Sequence, residues 1–166
     1  MSSSDPCPSR RWLVLTAPVA LAACGFTPVY GPGGAGAALY GKVLVRAPED
    51  RGSYLLVQDL EQRLGRAANP VYELTYTMTT ATEGQAVTAA GDITRVSLVG
   101  LVDYQLINSA TRTVVTTGSV DNFTGYSTTG STVEELAAQR DAQSRLMTIL
   151  ADEIVRRLYT LDLAAA

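Results

Sequence analysis

The sequence predicts an α+β two-layer sandwich, in which two helices pack on one face of a four-stranded, mostly antiparallel sheet. Between residues 71 and 124 apolar and polar side chains alternate, and a period of two is typical of half-buried strands. In residues 53–64 and 131–160 the apolar side chains instead recur every three or four positions, which indicates helices with one buried face. The expected order is β-α-β-β-β-α, and 166 residues suit a single domain.

The first strand and the first helix each have a recognisable end. Residues 42–46 (KVLVR) predict a short strand that stops before Pro48, because proline cannot donate a hydrogen bond to a neighbouring strand. The helix is predicted to run to Leu64, with Ser53 as its N-cap and Gly65 as its C-terminal stop. Its apolar face consists of Tyr54, Val57, Leu60 and Leu64.

Three longer strands are predicted to form an antiparallel meander. They are Val71–Thr82, Asp92–Ile107 and Thr113–Thr124. Residues 83–85 (EGQ) predict a bend after the first of them, and Gly100 predicts a bulge within the second. Residues 108–111 (NSAT) predict a tight turn before the third.

A long helix is predicted to close the domain. Ser131 and Glu134 have the spacing of a capping box, in which each side chain accepts a hydrogen bond from the backbone of the other residue. The helix is expected to continue to about Thr160, and Arg156 and Arg157 lie in its last turns, where the helix dipole favours cations.

The N-terminus has the order of features that is typical of a lipoprotein signal peptide. Arg10 and Arg11 precede an uncharged run, and the run ends in the small residues of Leu21-Ala22-Ala23 before Cys24. About a dozen uncharged residues are too few for a transmembrane helix, which needs roughly 20. We therefore expect residues 1–23 to be removed and Cys24 to carry acyl chains, of which two give a stable membrane anchor.

Two alternatives to lipidation remain open for this segment. Ordinary cleavage after Ala23 would leave Cys24 with a free thiol, and an uncleaved chain would bury the apolar run as a helix. Residues 24–41 are rich in Gly, Ala and Pro, so they are expected to form the lipidated N-terminus and a flexible tether. The folded domain is expected to occupy residues 42–162.

Composition disfavours several classes of function. The chain has no histidine, which removes the commonest general base and metal ligand, and Lys42 is its only lysine. Thirteen basic and sixteen acidic residues give a net charge of −3 without a basic cluster, so nucleic acid is not an expected partner. The acidic pairs 134–135 and 152–153 are expected to be solvated helix faces, with a divalent cation as the alternative. The sequence predicts no enzyme, no metal site and no cofactor.

Two stretches of the chain resemble one known family. Residues 21–31 (LAACGFTPVYG) are similar to the opening of the lipopolysaccharide-assembly lipoprotein family, LptE, in which the cysteine is followed by Gly-Phe and then by Pro, an apolar residue and Tyr-Gly. Residues 137–142 and 150–158 resemble the last helix of that family. The predicted order of elements also matches its fold, so the resemblance extends over residues 21–161.

The resemblance implies a function and partners. Members of the family are outer-membrane lipoproteins, anchored on the periplasmic side, that sit as a plug inside the β-barrel protein LptD and assist its assembly. The pair inserts lipopolysaccharide into the outer leaflet. Some members contact lipopolysaccharide through basic residues, but no motif transfers those positions to this chain. Since cations suit phosphorylated headgroups, the candidates here are Lys42, Arg46, Arg95 and Arg112. The alternative is that each is an ordinary solvated charge.

A second function of a different class remains open. Small α+β lipoprotein domains also serve as auxiliary subunits of ABC-type lipid transport systems. A periplasmic hydrolase is disfavoured by the absence of histidine.

Overall fold

The computed structural model describes Gly31, residues 34–87 and residues 93–161. Its elements in chain order are α1 (Ala35–Leu39), β1 (Val43–Val45), α2 (Arg51–Leu64), β2 (Tyr72–Val87), β3 (Ile93–Asn108), β4 (Val114–Ser127) and α3 (Thr132–Tyr159). The predicted α+β class is therefore confirmed, with one short helix more than expected. The signal peptide, Cys24 and residue 162 lie outside the described residues.

The four strands form one open, mixed sheet in the order β1-β2-β3-β4. β1 is parallel to β2, with Val43 opposite Tyr72, whereas β2, β3 and β4 are antiparallel neighbours. The predicted meander is thus confirmed. β2 and β3 have 16 residues each, about three times the usual length of a strand.

Even-numbered residues of β2, β3 and β4 face the helices. Leu74, Val102, Leu106 and Val120 are fully buried there, because the alternation of strand side chains puts them all on one side. α2 and α3 contribute the other half of the core with Leu56, Leu60, Leu64, Leu146, Leu150, Ile154 and Leu158.

The two long helices lie side by side, but α3 covers more of the sheet than α2 does. Thr148 donates a hydrogen bond to Asp59 at 2.8 Å, and Arg63 pairs with Asp152. α2 begins near Met78, since a Cβ on its Gly52 would lie 3.0 Å from the Met78 Cε. α3 continues past that point over the far half of the sheet. No helix among the described residues is long and apolar enough to cross a membrane.

The predicted start of α2 is wrong by three residues. Asp50 is the N-cap, and Ser53 occupies the third position of the helix, where it is buried. The Asp50 carboxylate accepts a hydrogen bond from the Ser53 amide at 2.7 Å, and the Ser53 hydroxyl accepts one from the Asp50 amide at 2.9 Å. Asp and Ser both favour N-cap positions, so composition alone did not choose between them.

Two predicted irregularities of the strands are also wrong. Residues 83–85 do not end β2, which continues to Val87 with register shifts between Gly84 and Ala86 and again before Val87. Gly100 forms no bulge and pairs regularly with Thr80 and Asn122. A Cβ at Gly100 would lie 2.9 Å from the Leu150 Cδ1, so a larger residue there would displace leucine side chains of α3.

The expectation that residues 24–41 lack secondary structure fails at Ala35–Leu39. These five residues form α1, and Leu39 is fully buried. The Gly41 amide donates a hydrogen bond to the Leu64 carbonyl at 2.7 Å. Burial of Leu39 in the core near the end of α2 offsets the entropy that the surrounding Gly and Ala residues lose when they become ordered.

Candidate functional site

The sheet surface that faces away from the helices is the candidate site, and we call it the outer face. No described element covers it, and it carries the odd-numbered residues of β2, β3 and β4. Four successive rows across the strands are Thr75–Gln105–Thr117, Thr77–Asp103–Ser119, Thr79–Leu101–Asp121 and Ala81–Val99–Phe123. The outer face is therefore rich in hydroxyl groups with apolar residues toward one end.

An apolar patch lies on the half of the outer face farther from β1. Phe123 is 64% exposed and Leu101 is 41% exposed. Val99 is opposite Phe123 on the neighbouring strand and two residues before Leu101 on its own strand, so it adjoins both. Phe123 and Leu101 are therefore a diagonal pair, a separation that an aromatic ring can reach. Adjoining exposed aromatic and aliphatic side chains are suited to contact with a partner.

A shallow concavity of about 480 Å³ occupies the other half. Its lining includes Arg46, Thr75, Thr77, Asp103, Gln105 and Thr117. The residues are polar and mostly uncharged, so this half suits a hydrated partner surface. Among the described residues no cluster of three or more potential metal ligands occurs.

Three of the four predicted cations lie toward one end of the outer face. Lys42 and Arg46 flank β1 in the same alternation as Leu44, which is exposed on the outer face opposite Glu73. Arg112 lies in the turn between β3 and β4 and reaches Glu73. Residues 42, 46 and 112 are therefore brought near one another by the pairing of β1 with β2.

Arg95 lies at the opposite end of the sheet. It pairs with Ala86, thirteen residues along β2 from Glu73, which corresponds to about 40 Å at roughly 3.3 Å per residue. One lipid headgroup cannot contact Arg95 and the other three cations together.

The four cations differ in their ion pairs. Arg46 pairs with Glu49 at 2.6 Å, and Arg112 pairs with Glu73 at 3.1 Å. Lys42 and Arg95 form no ion pair with a described residue. Exposed pairs of this kind contribute only about 0–1 kcal/mol, so Arg46 and Arg112 can exchange their partners for an incoming phosphate.

The predicted tight turn is confirmed and fixes the place of Arg112. The Asn108 side-chain oxygen accepts hydrogen bonds from the amides of Ala110 and Thr111 at 3.0 and 3.1 Å. The Asn108 carbonyl accepts one from the Arg112 amide at 2.9 Å, and Arg112 has a φ of 58°. The turn thus holds this arginine in a left-handed conformation at the tip of the hairpin.

Two carboxylates on the outer face were missed from the sequence. Asp103 and Asp121 are exposed there and form no ion pair with a described residue. Each lies at an odd position of a strand whose core-facing residues are at even positions, and this alternation could have placed both carboxylates on the outer face. They repel phosphate, so the middle of the outer face is unsuited to an anionic headgroup.

Two tyrosines below the outer face are held in the core. Tyr76 and Tyr104 pair across β2 and β3 on the helix side, and burial raises the pKa of both phenols. For Tyr104, the positive charge of Arg157 opposes that rise in pKa. Buried neutral phenols support the sheet structurally and leave the outer face as the available surface.

Comparison with known structures supports the fold. A Caulobacter crescentus protein classed as a lipoprotein has 26% identity and a TM-score of 0.64, covering 76% of this chain and 93% of its own. Rare lipoprotein B of Shewanella oneidensis has 12% identity and a TM-score of 0.56, covering 75% and 96%. A minor lipoprotein of Acinetobacter baumannii has 20% identity and a TM-score of 0.54, covering 72% and 91%. The last two show similarity of fold alone.

Comparison with curated proteins returned no match. A family model described as lipopolysaccharide-assembly, LptE, matches residues 40–158. The match includes all four strands, the whole of α2, and α3 as far as Leu158. The chain therefore belongs to the LptE family of lipopolysaccharide-assembly lipoproteins.

Proposed function

We propose that this protein is a lipid-anchored, non-enzymatic subunit of the outer-membrane lipopolysaccharide translocon. In this proposal acylated Cys24 attaches it to the periplasmic side of the outer membrane. The folded domain plugs the LptD β-barrel, assists its assembly and helps to insert lipopolysaccharide into the outer leaflet. Family membership supports the role in lipopolysaccharide assembly.

The observation that carries the plug proposal is the uncovered outer face. The helices and the inner face of the sheet bury a complete core, so the domain does not need the outer face for its own stability. A barrel lumen is polar, and a surface that fills it needs hydroxyl groups with few apolar contacts. The threonine rows with Leu101 and Phe123 provide that mixture.

The proposed lipopolysaccharide contact is the end of the outer face that carries Lys42, Arg46 and Arg112. Their exposed cations can each form charge-assisted hydrogen bonds to phosphate oxygens. Asp103 confines an anionic headgroup to that end, since it lies in the concavity beside Arg46. Arg95 is too distant to share the same headgroup.

Affinity purification from detergent-solubilised outer membrane tests the proposal. The full chain with a C-terminal tag is expected to recover a large β-barrel protein in stoichiometric amount. Recovery of an inner-membrane ATPase complex in its place would contradict the proposal and favour the ABC-type transport alternative.

A further inference from the structure

The two edges of the sheet are protected to different degrees. At the β4 edge, Arg157 donates a hydrogen bond to the Ser119 carbonyl at 2.6 Å, and Arg145 donates one to the Gly125 carbonyl at 3.3 Å. Both arginines belong to α3, which follows this edge. The backbone N–H and C=O groups of successive residues in a strand point to alternate sides. The backbone groups of the odd residues of β4 therefore point away from β3, and two of these outward carbonyls already accept a hydrogen bond from α3.

The β2 edge is covered only where β2 begins. Tyr72 donates to the Lys42 carbonyl at 3.1 Å, and the Leu74 carbonyl accepts from the Arg46 amide at 2.9 Å. The even residues of β2 therefore direct their backbone groups away from β3. Farther along, Thr80 and Thr82 have outward N–H and C=O groups to which no described residue forms a hydrogen bond.

The open part of this edge begins beyond Met78, because the first turn of α2 covers β2 only up to that residue. Residues Arg46, Ala47, Asp50 and Ser53 lie beside Tyr76 and Met78. Beyond Met78 only α3 lies above the sheet, and a groove of about 270 Å³ separates it from β2. The groove is lined by Thr80, Ala81, Thr82, Leu98, Gln139 and Gln143, none of which is charged.

The residues along this edge lack the usual defences against pairing. Edge strands are commonly blunted by Lys, Pro, a bulge or a covering element. Residues 74–82 (LTYTMTTAT) contain no charge and no proline, and the register shifts come only after Gly84. An exposed strand with high β propensity and unpaired backbone groups is a template for an added strand.

We propose that residues 76–84 of β2 accept an extended, uncharged segment of the barrel protein as a fifth strand of the sheet. This inference rests on the proposed function, which supplies the partner chain. The uncharged groove requires that the side chains facing it be uncharged, because a buried charge there would have no counter-ion.

A second copy of this chain is the competing occupant of the edge. In an antiparallel pair of β2 strands centred on Thr80, Ala86 of one copy would face Leu74 of the other, and Leu74 is already bonded to the chain after β1. Self-pairing is therefore confined to residues 76–84, and measurement of the isolated chain at raised concentration tests it.

Hydrogen exchange on the full chain, alone and in the complex with the co-expressed barrel protein, tests the added strand. The amides of Thr80 and Thr82 are expected to exchange at least tenfold more slowly in the complex. The outward amide of Gly125 on the β4 edge serves as the comparison and is expected to keep its rate. Slowing in the isolated chain at raised concentration would show that a second copy is the occupant and would overturn the proposal.

Proline variants give an independent measurement. Thr80→Pro removes one outward N–H of β2, and Gly125→Pro removes the matched group of β4, where a Cβ meets nothing closer than 3.8 Å. Recovery of the barrel protein is expected to fall at least tenfold with Thr80→Pro and to stay within twofold with Gly125→Pro. If Thr80→Pro does not fold, the exchange rates of the unmodified chain decide the question.

The outcomes separate this inference from the proposed function. Failure of the unmodified chain to recover any β-barrel protein contradicts the proposed function. Recovery of the barrel protein with unchanged exchange at Thr80 and Thr82 overturns the added strand alone.

Discussion

The hydroxyl group of Tyr104 lies directly over Gly118, the residue opposite it on β4. A Cβ at Gly118 would lie 2.5 Å from the Tyr104 Oη and 2.6 Å from its Cζ. Tyr104 is 4% exposed, and the positive charge of Arg157 on α3 opposes the rise in its pKa that burial causes. The close approach thus connects β3 and β4 through one buried phenol.

Gly118→Ala is expected to lower the free energy of unfolding by about 1–3 kcal/mol, the usual cost of overpacking a core. The tyrosine would have to leave its position over residue 118. Chemical denaturation measures the change. Gly125→Ala is the control, with an expected effect within about 0.5 kcal/mol, because a Cβ there is in ordinary contact. Equal stability of the two variants would contradict the role of Gly118.

Asp50→Ala is expected to destabilise the domain by about 1 kcal/mol through loss of the α2 N-cap. The Ser53 amide, followed by the Ser53 hydroxyl, lowers the pKa of Asp50 below its ordinary 3.8. A lowered pKa in the folded state means that this contribution is present above about pH 4 and is lost as pH falls through the lowered value.

Asp50→Asn separates the effect of the N-cap hydrogen bond from the effect of the negative charge, because asparagine also caps helices but does not titrate. Thermal unfolding between pH 2 and 7 should show a smaller loss of stability on acidification for Asp50→Asn than for the unmodified chain. An identical pH dependence would show that Asp50 contributes nothing to it.

Phe123→Asp is expected to leave the fold intact and to reduce recovery of the barrel protein about tenfold, because it places a charge in the apolar patch of the outer face. Tyr54→Asp is the matched control: Tyr54 is an aromatic residue with 58% exposure on α2, against 64% for Phe123. Circular dichroism verifies the fold of both. Equal recovery with the two variants would remove the outer face from the proposed interface.

Replacing Lys42 and Arg112 together by alanine is expected to weaken lipopolysaccharide binding about tenfold, since each loses a charge-assisted hydrogen bond to phosphate. Arg95→Ala alone is expected to have a smaller effect because of its distance from the other cations. Binding of labelled lipopolysaccharide to the purified chain measures both. A larger effect of Arg95→Ala would move the contact to the other end of the sheet.

Cys24→Ala is expected to block lipidation and leave an uncleaved precursor. Labelling of cells with radioactive palmitate, followed by immunoblotting, measures both the acyl chains and the size of the product. Normal processing of this variant would show that Cys24 is not the modified residue.

Local patterns in the sequence were sufficient for the elements whose determinants are close in the chain. The alternation in residues 71–82 predicted β2, and the spacing of Ser131 and Glu134 predicted the start of α3, where each side chain accepts a hydrogen bond from the other residue's backbone. The Asn108 turn was likewise predicted because its side chain bonds to amides only two and three residues away.

The placement of the candidate cations could not be derived in the same way. Residues 42, 46 and 112 lie near one another only because β1 pairs in parallel with β2 and the hairpin of β3 and β4 returns to the same end. The sequence therefore named the residue types but gave no reason to separate Arg95 from the rest.

The sequence by itself determined the order of the elements apart from α1, the buried side of each strand and the family. Only the tertiary structure decided why Gly100 and Gly118 are glycines, since the atoms that would clash belong to Leu150 and Tyr104. It also decided which sheet edge is open, because that depends on how far α2 and α3 extend over strands distant in the chain. Periodicity depends on neighbouring residues, whereas close approaches and unpaired edges arise from contacts between segments that meet only after folding.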